Sequence, residues 1–329
     1  MRMAKISILD LVRVRQGSDI RTALDQARDF ARQAETLGFN RYWVAEHHNM
    51  PGIGSAATSV VIGHIAAGTS TIRVGAGGIM LPNHSPLVIA EQFGTLETLF
   101  PGRIDLGLGR APGTDQLTWR ALRRDLMASD RFPQDVLELQ ALLGPLREGQ
   151  RVQAVPGTNT NVPLWILGSS LFGAQLAAEL GLPYAFASHF APQALMPALD
   201  IYRQRFKPSA ALDRPYAMVG VNIIAADSDA EAKRLATTTQ MAVADIFRGT
   251  RGLSQPPIDD IDSYWTPTEK AQARGFFERA IIGGPDRVRQ GVAAFVGETQ
   301  ADELMIVTDT FDFGARCRSL EIISGGHNS

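Results

Sequence analysis

Short apolar runs alternate along the chain with longer segments of helical period. Runs at 6–11, 41–45, 72–75, 104–108, 164–167, 184–187, 218–225 and 303–307 are four to eight residues long and bounded by turn residues or charges, the pattern of buried strands. Between them lie segments with one apolar face. In 20–37, Ile20, Leu24, Ala27, Ala31, Ala34 and Leu37 share a face, and Gly38 supplies a C-cap. In 86–100, Leu87, Ala90, Phe93 and Leu96 point inward. Further helices are expected at 58–68, 135–143, 172–180, 192–206, from 229 to at least 239, at 284–296 and at 313–323. Residues 114–131 are polar and charged, and 147–161 reads as a loop or hairpin. Residues 248–270, rich in Pro, Gly, Asp and Ser, read as a long mobile excursion, because long loops in compact domains tend to be lids or disordered.

Parallel strands need helical crossovers, so this alternation predicts a parallel sheet. About eight strands in 329 residues favour a closed (β/α)8 TIM-type barrel of α/β class over an open sheet. The expectation is one domain over residues 1–329, with an insertion or lid near 248–270.

Composition narrows the function. With 32 basic and 34 acidic residues the formal charge is -2, so no basic excess points to nucleic acid or an anionic membrane. Cys317 is the single cysteine, which fits a reducing cytoplasm. The start, MRMAKISILDLVRV, has an apolar run broken by Asp10 and Arg13 and reads as no signal peptide. No run of 18 apolar residues predicts a membrane span.

The candidate chemistry follows the strands: Asp10, Glu46-His47-His48, His84, Arg110, Ser169-Ser170 and His189. Ligands of α/β folds bind at the carboxyl ends of strands, so these positions converge on one rim even though a lone histidine is more often structural. Adjacent histidines on a strand point to opposite faces, and neither an H-x-x-x-H spacing nor a partner cysteine is present, which argues against a metal. Gly168-Ser169-Ser170 precedes a helix and is either an anion site or a plain N-cap. Arg110 and Arg131 are candidate cationic partners for a phosphate. Gly75-Ala76-Gly77-Gly78 lacks the G-x-G-x-x-G spacing; its small residues would let a flat ring approach the backbone, or mark a bulge. Phe172, Phe186, Phe190 and Trp165 fit an apolar pocket or core packing equally.

The segments WVAEHHN, RVGAGGIMLPNHSP, GRIDLGLGRAPG and LGSSLFGAQLAAELGLPYAFASHF, with GGPDRVRQGVAAF and ADELMIVTD near the C-terminus, resemble the bacterial luciferase-like flavin monooxygenases, above all their single-chain members. The resemblance implies a TIM-type barrel, homodimeric and cytoplasmic, holding FMN or reduced FMN at the carboxyl rim, or a deazaflavin in some relatives. It implies that His47 is the catalytic histidine and that Gly77-Gly78 forms a non-proline cis peptide beneath the flavin ring. It further implies that Arg110 lies near the flavin and its phosphate, that Arg131 is a second phosphate arginine after a longer loop, and that Ser169 and Ser170 form the phosphate turn. Gly168 and Gly109 stand where the light-emitting enzymes have an acidic residue and a cysteine, so light emission is not expected.

The activity implied is oxygenation of a small organic substrate by reduced FMN and O2, with His47 as acid or base and its ordinary pKa near 6.5 suited to that task. No nicotinamide motif is present, so reduced flavin is expected from a separate NAD(P)H:flavin reductase. The alternatives are deazaflavin-dependent hydride transfer on the same barrel, a non-catalytic flavin-binding protein, and a phosphate-substrate lyase, which lacks a lysine at a strand end.

Overall fold

Alternate residues of the strands pack into two separate apolar layers, one inside a barrel and one between the barrel and its helices. A computed structural model describes residues 4–111, 113–124 and 127–325; Pro112, within the expected 109–113 turn, lies outside them, as do residues 125 and 126 of the polar 114–131 segment. The elements are β1 (Lys5–Asp10), α1 (Ile20–Thr36), β2 (Arg41–Val44), α2 (Thr58–Ala67), β3 (Arg73–Met80), α3 (Pro86–Leu99), β4 (Ile104–Gly109), α4 (Gln116–Ala121), α5 (Phe132–Leu143), β5 (Leu164–Gly168), α6 (Leu171–Leu180), β6 (Tyr184–Phe186), α7 (Leu195–Arg205), β7 (Ala217–Ala225), α8 (Asp229–Arg248), α9 (Pro267–Phe277), β8 (Ile281–Gly283), α10 (Pro285–Thr299), β9 (Glu303–Val307) and α11 (Phe313–Gly325).

Strands β1 to β7 pair in sequence order, β7 pairs with β9, and β9 returns to β1, all parallel. The result is a closed eight-stranded (β/α)8 barrel surrounded by helices. The short strand β8 is an addition. It pairs with Ile223–Ala225, beyond the part of β7 that β9 occupies, and so extends the rim without entering the ring.

The interior is layered. At the amino ends of the strands, Arg41 bridges Asp105 at 2.7 Å and Glu303 at 2.9 Å, and Arg73 also holds Asp105. Tyr216 and Asn40 donate to the same Glu303 carboxylate. Above this polar plug, Leu9, Trp43, Trp165, Ala185, Met218 and Met305 form an apolar layer, with the two tryptophans edge to face at 5.2 Å. Tyr42, Val44, Val74, Ile104 and Ile166 lie on the alternate side and pack under the helices. In α1 the buried face is Ala23, Ala27, Phe30, Ala31 and Ala34, whereas Ile20, at its first turn, is exposed.

The 248–270 stretch is tied down rather than a free excursion. Ser254 donates to the Val14 carbonyl and accepts from the Gln16 amide, both at 2.9 Å. Thr238 donates to the Gln255 carbonyl, and the Thr237 hydroxyl accepts from the Ile258 amide. A capping box of Thr266 and Glu269 starts α9, and Arg248 reaches back to Glu269 at 2.7 Å. Hydrogen bonds and ion pairs of this kind leave no hydrophobic period in the sequence, which is why periodicity read the stretch as loose.

Candidate active site

A parallel barrel brings the carboxyl ends of all its strands to one rim. His47 and His48 follow β2, Gly77 and Gly78 lie near the end of β3, Arg110 follows β4, Ser169 and Ser170 follow β5, and His189 follows β6. The rim loops interlock. Gly54 donates to the Val12 carbonyl, Val14 donates to that of Gly52, and a side chain at Gly52 would stand 2.2 Å from the Gly252 oxygen. The loops after β1 and β2 and the one after α8 thus form a continuous wall.

Glu46 is the hub of that wall. Its buried carboxylate accepts from the Met80 amide at 2.9 Å, the Asn83 amide group at 2.9 Å, His48 at 2.7 Å and His84 at 2.9 Å. Its own backbone N–H donates to the Gly78 carbonyl at 3.1 Å. Burial alone would push the Glu46 pKa up, yet the bonds from His48, His84 and Asn83 hold it down at about 2. His48 and His84 therefore serve Glu46. Sequence reading named Glu46 in the E-H-H run without assigning it a role, because its partners come from another strand's loop.

His47, which like His48 lies past the end of β2, is not among the four donors to Glu46. Burial pushes its pKa down to about 4, helped by the positive charges of Arg13 and Arg251, against a hydrogen bond with the Gly113 backbone and the charge of Glu46. The expected value near 6.5 is thus corrected: burial keeps the ring neutral well below neutral pH. Its Nδ1 is buried and has no hydrogen-bond partner.

The Gly77–Gly78 peptide is cis. A side chain on Gly77 would meet Leu9 and Trp43 at 2.8–2.9 Å, and one on Gly78 would meet the Gly107 carbonyl oxygen at 2.7 Å. The glycines are required first by close packing of β3 on β4 and on the Trp43 layer. Trp165 and Phe186 belong to the core, while Phe190 is 45% exposed beside His189.

Arg110 and the 168–170 turn come together. The Arg110 guanidinium carbon lies 4.1 Å over the Phe172 ring, at the second residue of α6. Ser170 is the N-cap of α6 in extended conformation, but its side chain makes no capping bond, so the first amides of the helix are left without the usual acceptor. Gly168 and Gly173 bring turn and helix together, each Cα 3.2–3.3 Å from a Cβ built on the other. Arg131 instead has a side chain that is 74% exposed and pairs with Asp135 one turn along, at 3.7 Å. Two hollows of about 350 Å³ and 290 Å³ lie in the helical shell, the second sharing Phe172 with Arg110. Among the described residues no helix is long and apolar enough to cross a membrane.

A barrel of this kind, with polar residues gathered at its carboxyl rim, defines a class of α/β enzymes. The profile of the luciferase-like monooxygenases matches residues 3–303, and the chain belongs to that family. It is 54% identical over 320 residues to the uncharacterised protein YvbT of Bacillus subtilis (strain 168), covering 97% of this chain and 95% of that one. It is 53% identical over 317 residues to a luciferase-like monooxygenase of Escherichia coli (strain K12), covering 96% and 95%. Among solved structures, apo-MsnO8 superposes with a TM-score of 0.88 at 33% identity, covering 99% of this chain and 98% of that one. The oxygenating constituent of 3,6-diketocamphane monooxygenase from Pseudomonas putida, in complex with FMN, has a TM-score of 0.74 at 18% identity, covering 98% and 97%. An F420-dependent secondary alcohol dehydrogenase has 0.71 at 14%, covering 98% of each chain. At those identities the last two share the fold alone.

Proposed function

We propose that this protein is a flavin-dependent monooxygenase that acts on a small organic substrate with reduced FMN and O2, the reduced flavin coming from a separate NAD(P)H:flavin reductase. One observation carries the reading: Arg110 is stacked on Phe172 at the uncapped start of α6, on the same rim as the unpartnered Nδ1 of His47, a combination suited to an anion beside a polar ring. An FMN needs a phosphate anchor, a flat seat and a polar neighbour for its ring. The α6 amides with Ser169, Ser170 and Arg110 fit the first, helix N-termini and arginine being suited to dianions. The tightly packed Gly77-Gly78 segment, with Leu9 and Leu167 beside it, fits the second. His47 fits the third. Gly168 lets the turn approach the helix, and Arg131, exposed and paired with Asp135, is the second candidate cation for the phosphate.

Bound reduced FMN would supply the electrons for oxygen activation. His47, neutral at physiological pH, accepts a proton at Nδ1. This role rests on its burial and on the unpartnered Nδ1. Glu46 fixes the loop that carries His47 against β3. The wall built from residues 12–16, 50–54 and 252–254 limits water at the mouth. The same reading takes residues 1–329 as one domain working as a cytoplasmic homodimer.

The test is titration of the purified protein with FMN and with a deazaflavin, oxidised and reduced, followed by oxygen uptake and substrate loss across a panel of organic compounds. The reading expects saturable FMN binding and oxygen-dependent substrate loss with reduced FMN. Anaerobic turnover with deazaflavin but not FMN would replace it by hydride transfer, and flavin binding without any oxygen-dependent turnover would replace it by a carrier role.

A further inference from the structure

His189 lies diametrically across the mouth from His47. The ring order β1 to β7 and then β9 puts three strands between β2 and β6 on either side, and the two histidines follow these strands. His189 is held on both sides by β7: its carbonyl accepts from the Asn222 side chain at 2.6 Å, and Ser188 donates to the Gly220 carbonyl. The imidazole lies directly against β7, where a side chain on Gly220 would stand 2.4 Å from Nδ1. Its Nδ1 is buried and without a hydrogen-bond partner, as is that of His47. Burial holds the His189 pKa down at about 4, and the His47 ring adds to this. A backbone so firmly fixed, carrying a buried polar atom that no protein group satisfies, is unusual, because buried polar atoms are ordinarily paired.

We propose that His189 is a second cofactor-contacting residue, its Nδ1 hydrogen-bonding a heteroatom at the edge of the tricyclic ring that flavins and deazaflavins share, on the side opposite His47. This rests on the cofactor reading above. The other groups assigned to the cofactor lie on β2 to β5, namely His47, Gly77, Gly78, Arg110 and the 168–170 turn. A ring anchored at the β4–β5 side and bordered by His47 has its remaining edge toward β6 and β7. There, His189 offers the polar atom, and Phe190 sits edge-on to it at 5.0 Å as an apolar flank.

Asparagine can place an amide near the position of Nδ1, whereas leucine fills the volume without a polar atom. FMN affinity, followed by flavin fluorescence, is expected to fall about tenfold in His189→Leu and to stay within about threefold of wild type in His189→Asn. Nitrogen-15 spectra of the wild-type imidazoles keep the question open to test even if a variant fails to fold: the His189 Nδ1 resonance is expected to move when FMN is added. Full FMN affinity in His189→Leu, equal losses in both variants, or an FMN-induced shift at His47 without one at His189 would overturn the proposal and leave the cofactor reading standing. If FMN does not bind, the deazaflavin arm decides by the same criteria, and binding of neither overturns both.

Discussion

The backbone amide of Glu46 donates to the Gly78 carbonyl at 3.1 Å, while the Glu46 carboxylate takes the amide of Met80 two residues further along β3. One residue at the end of β2 thus clasps the end of β3 from both sides. Four donors converge on two carboxylate oxygens, and a carboxamide offers one accepting oxygen. Glu46→Gln is therefore expected to lower unfolding stability by about 1–3 kcal/mol, the cost of leaving buried donors unmet. Urea denaturation checks this, and an unchanged midpoint would show that the hub is not needed to hold the rim.

The depressed histidines predict acid lability. An unfolded chain binds protons at His47 and His189 near pH 6.5, but the folded chain does so only near 4. As pH falls the unfolded state gains protons first, so the stability is whole above about pH 6.5 and is lost progressively toward pH 4, by up to about 3 kcal/mol for each imidazole. Glu46 adds loss in the same direction only below its unfolded value of 4.5. Urea midpoints at pH 7.5 and pH 5 measure the slope, and His189→Leu should flatten it. A midpoint that is constant over that range would contradict the neutral-imidazole account.

The two arginines read as phosphate partners should separate cleanly. Arg110→Ala removes a cation from the start of α6 and is expected to weaken FMN binding roughly 10- to 100-fold, the range for a charge-assisted hydrogen bond. Arg131→Ala, exposed and paired with Asp135, is expected to change it less than about threefold. Isothermal titration with FMN checks both. Equal losses would mean that Arg131 swings into the site and that its pairing with Asp135 is incidental.

The barrel was legible because its strands and helices differ in period. Tyr42 and Val44 face the helices while Trp43 faces the interior, and an apolar run with helical neighbours is what such a doubly buried strand looks like. The rim positions of His47 and Arg110 followed from strand ends alone. What escaped was carried by contacts between distant segments. The hub role of Glu46 depends on Met80, Asn83 and His84, which precede α3, more than thirty residues away. The low pKa of His47 depends on burial and on Arg13 and Arg251, which no local pattern links to it. The packing reason for glycine in β3 also comes from distant segments, since side chains there would meet Trp43, Leu9 and the Gly107 carbonyl. The strand β8 is three residues long and α9 has a single fully buried residue, Ala273, so neither carries a strong period.

The most direct measurement of the central claim separates binding from turnover at His47. In His47→Ala, FMN is expected to bind with near wild-type affinity, since the phosphate anchor is untouched, while oxygen-dependent turnover of a substrate found active with the wild type falls about 100-fold or more. Turnover equal to wild type in that variant would remove His47 from the chemistry and contradict the account.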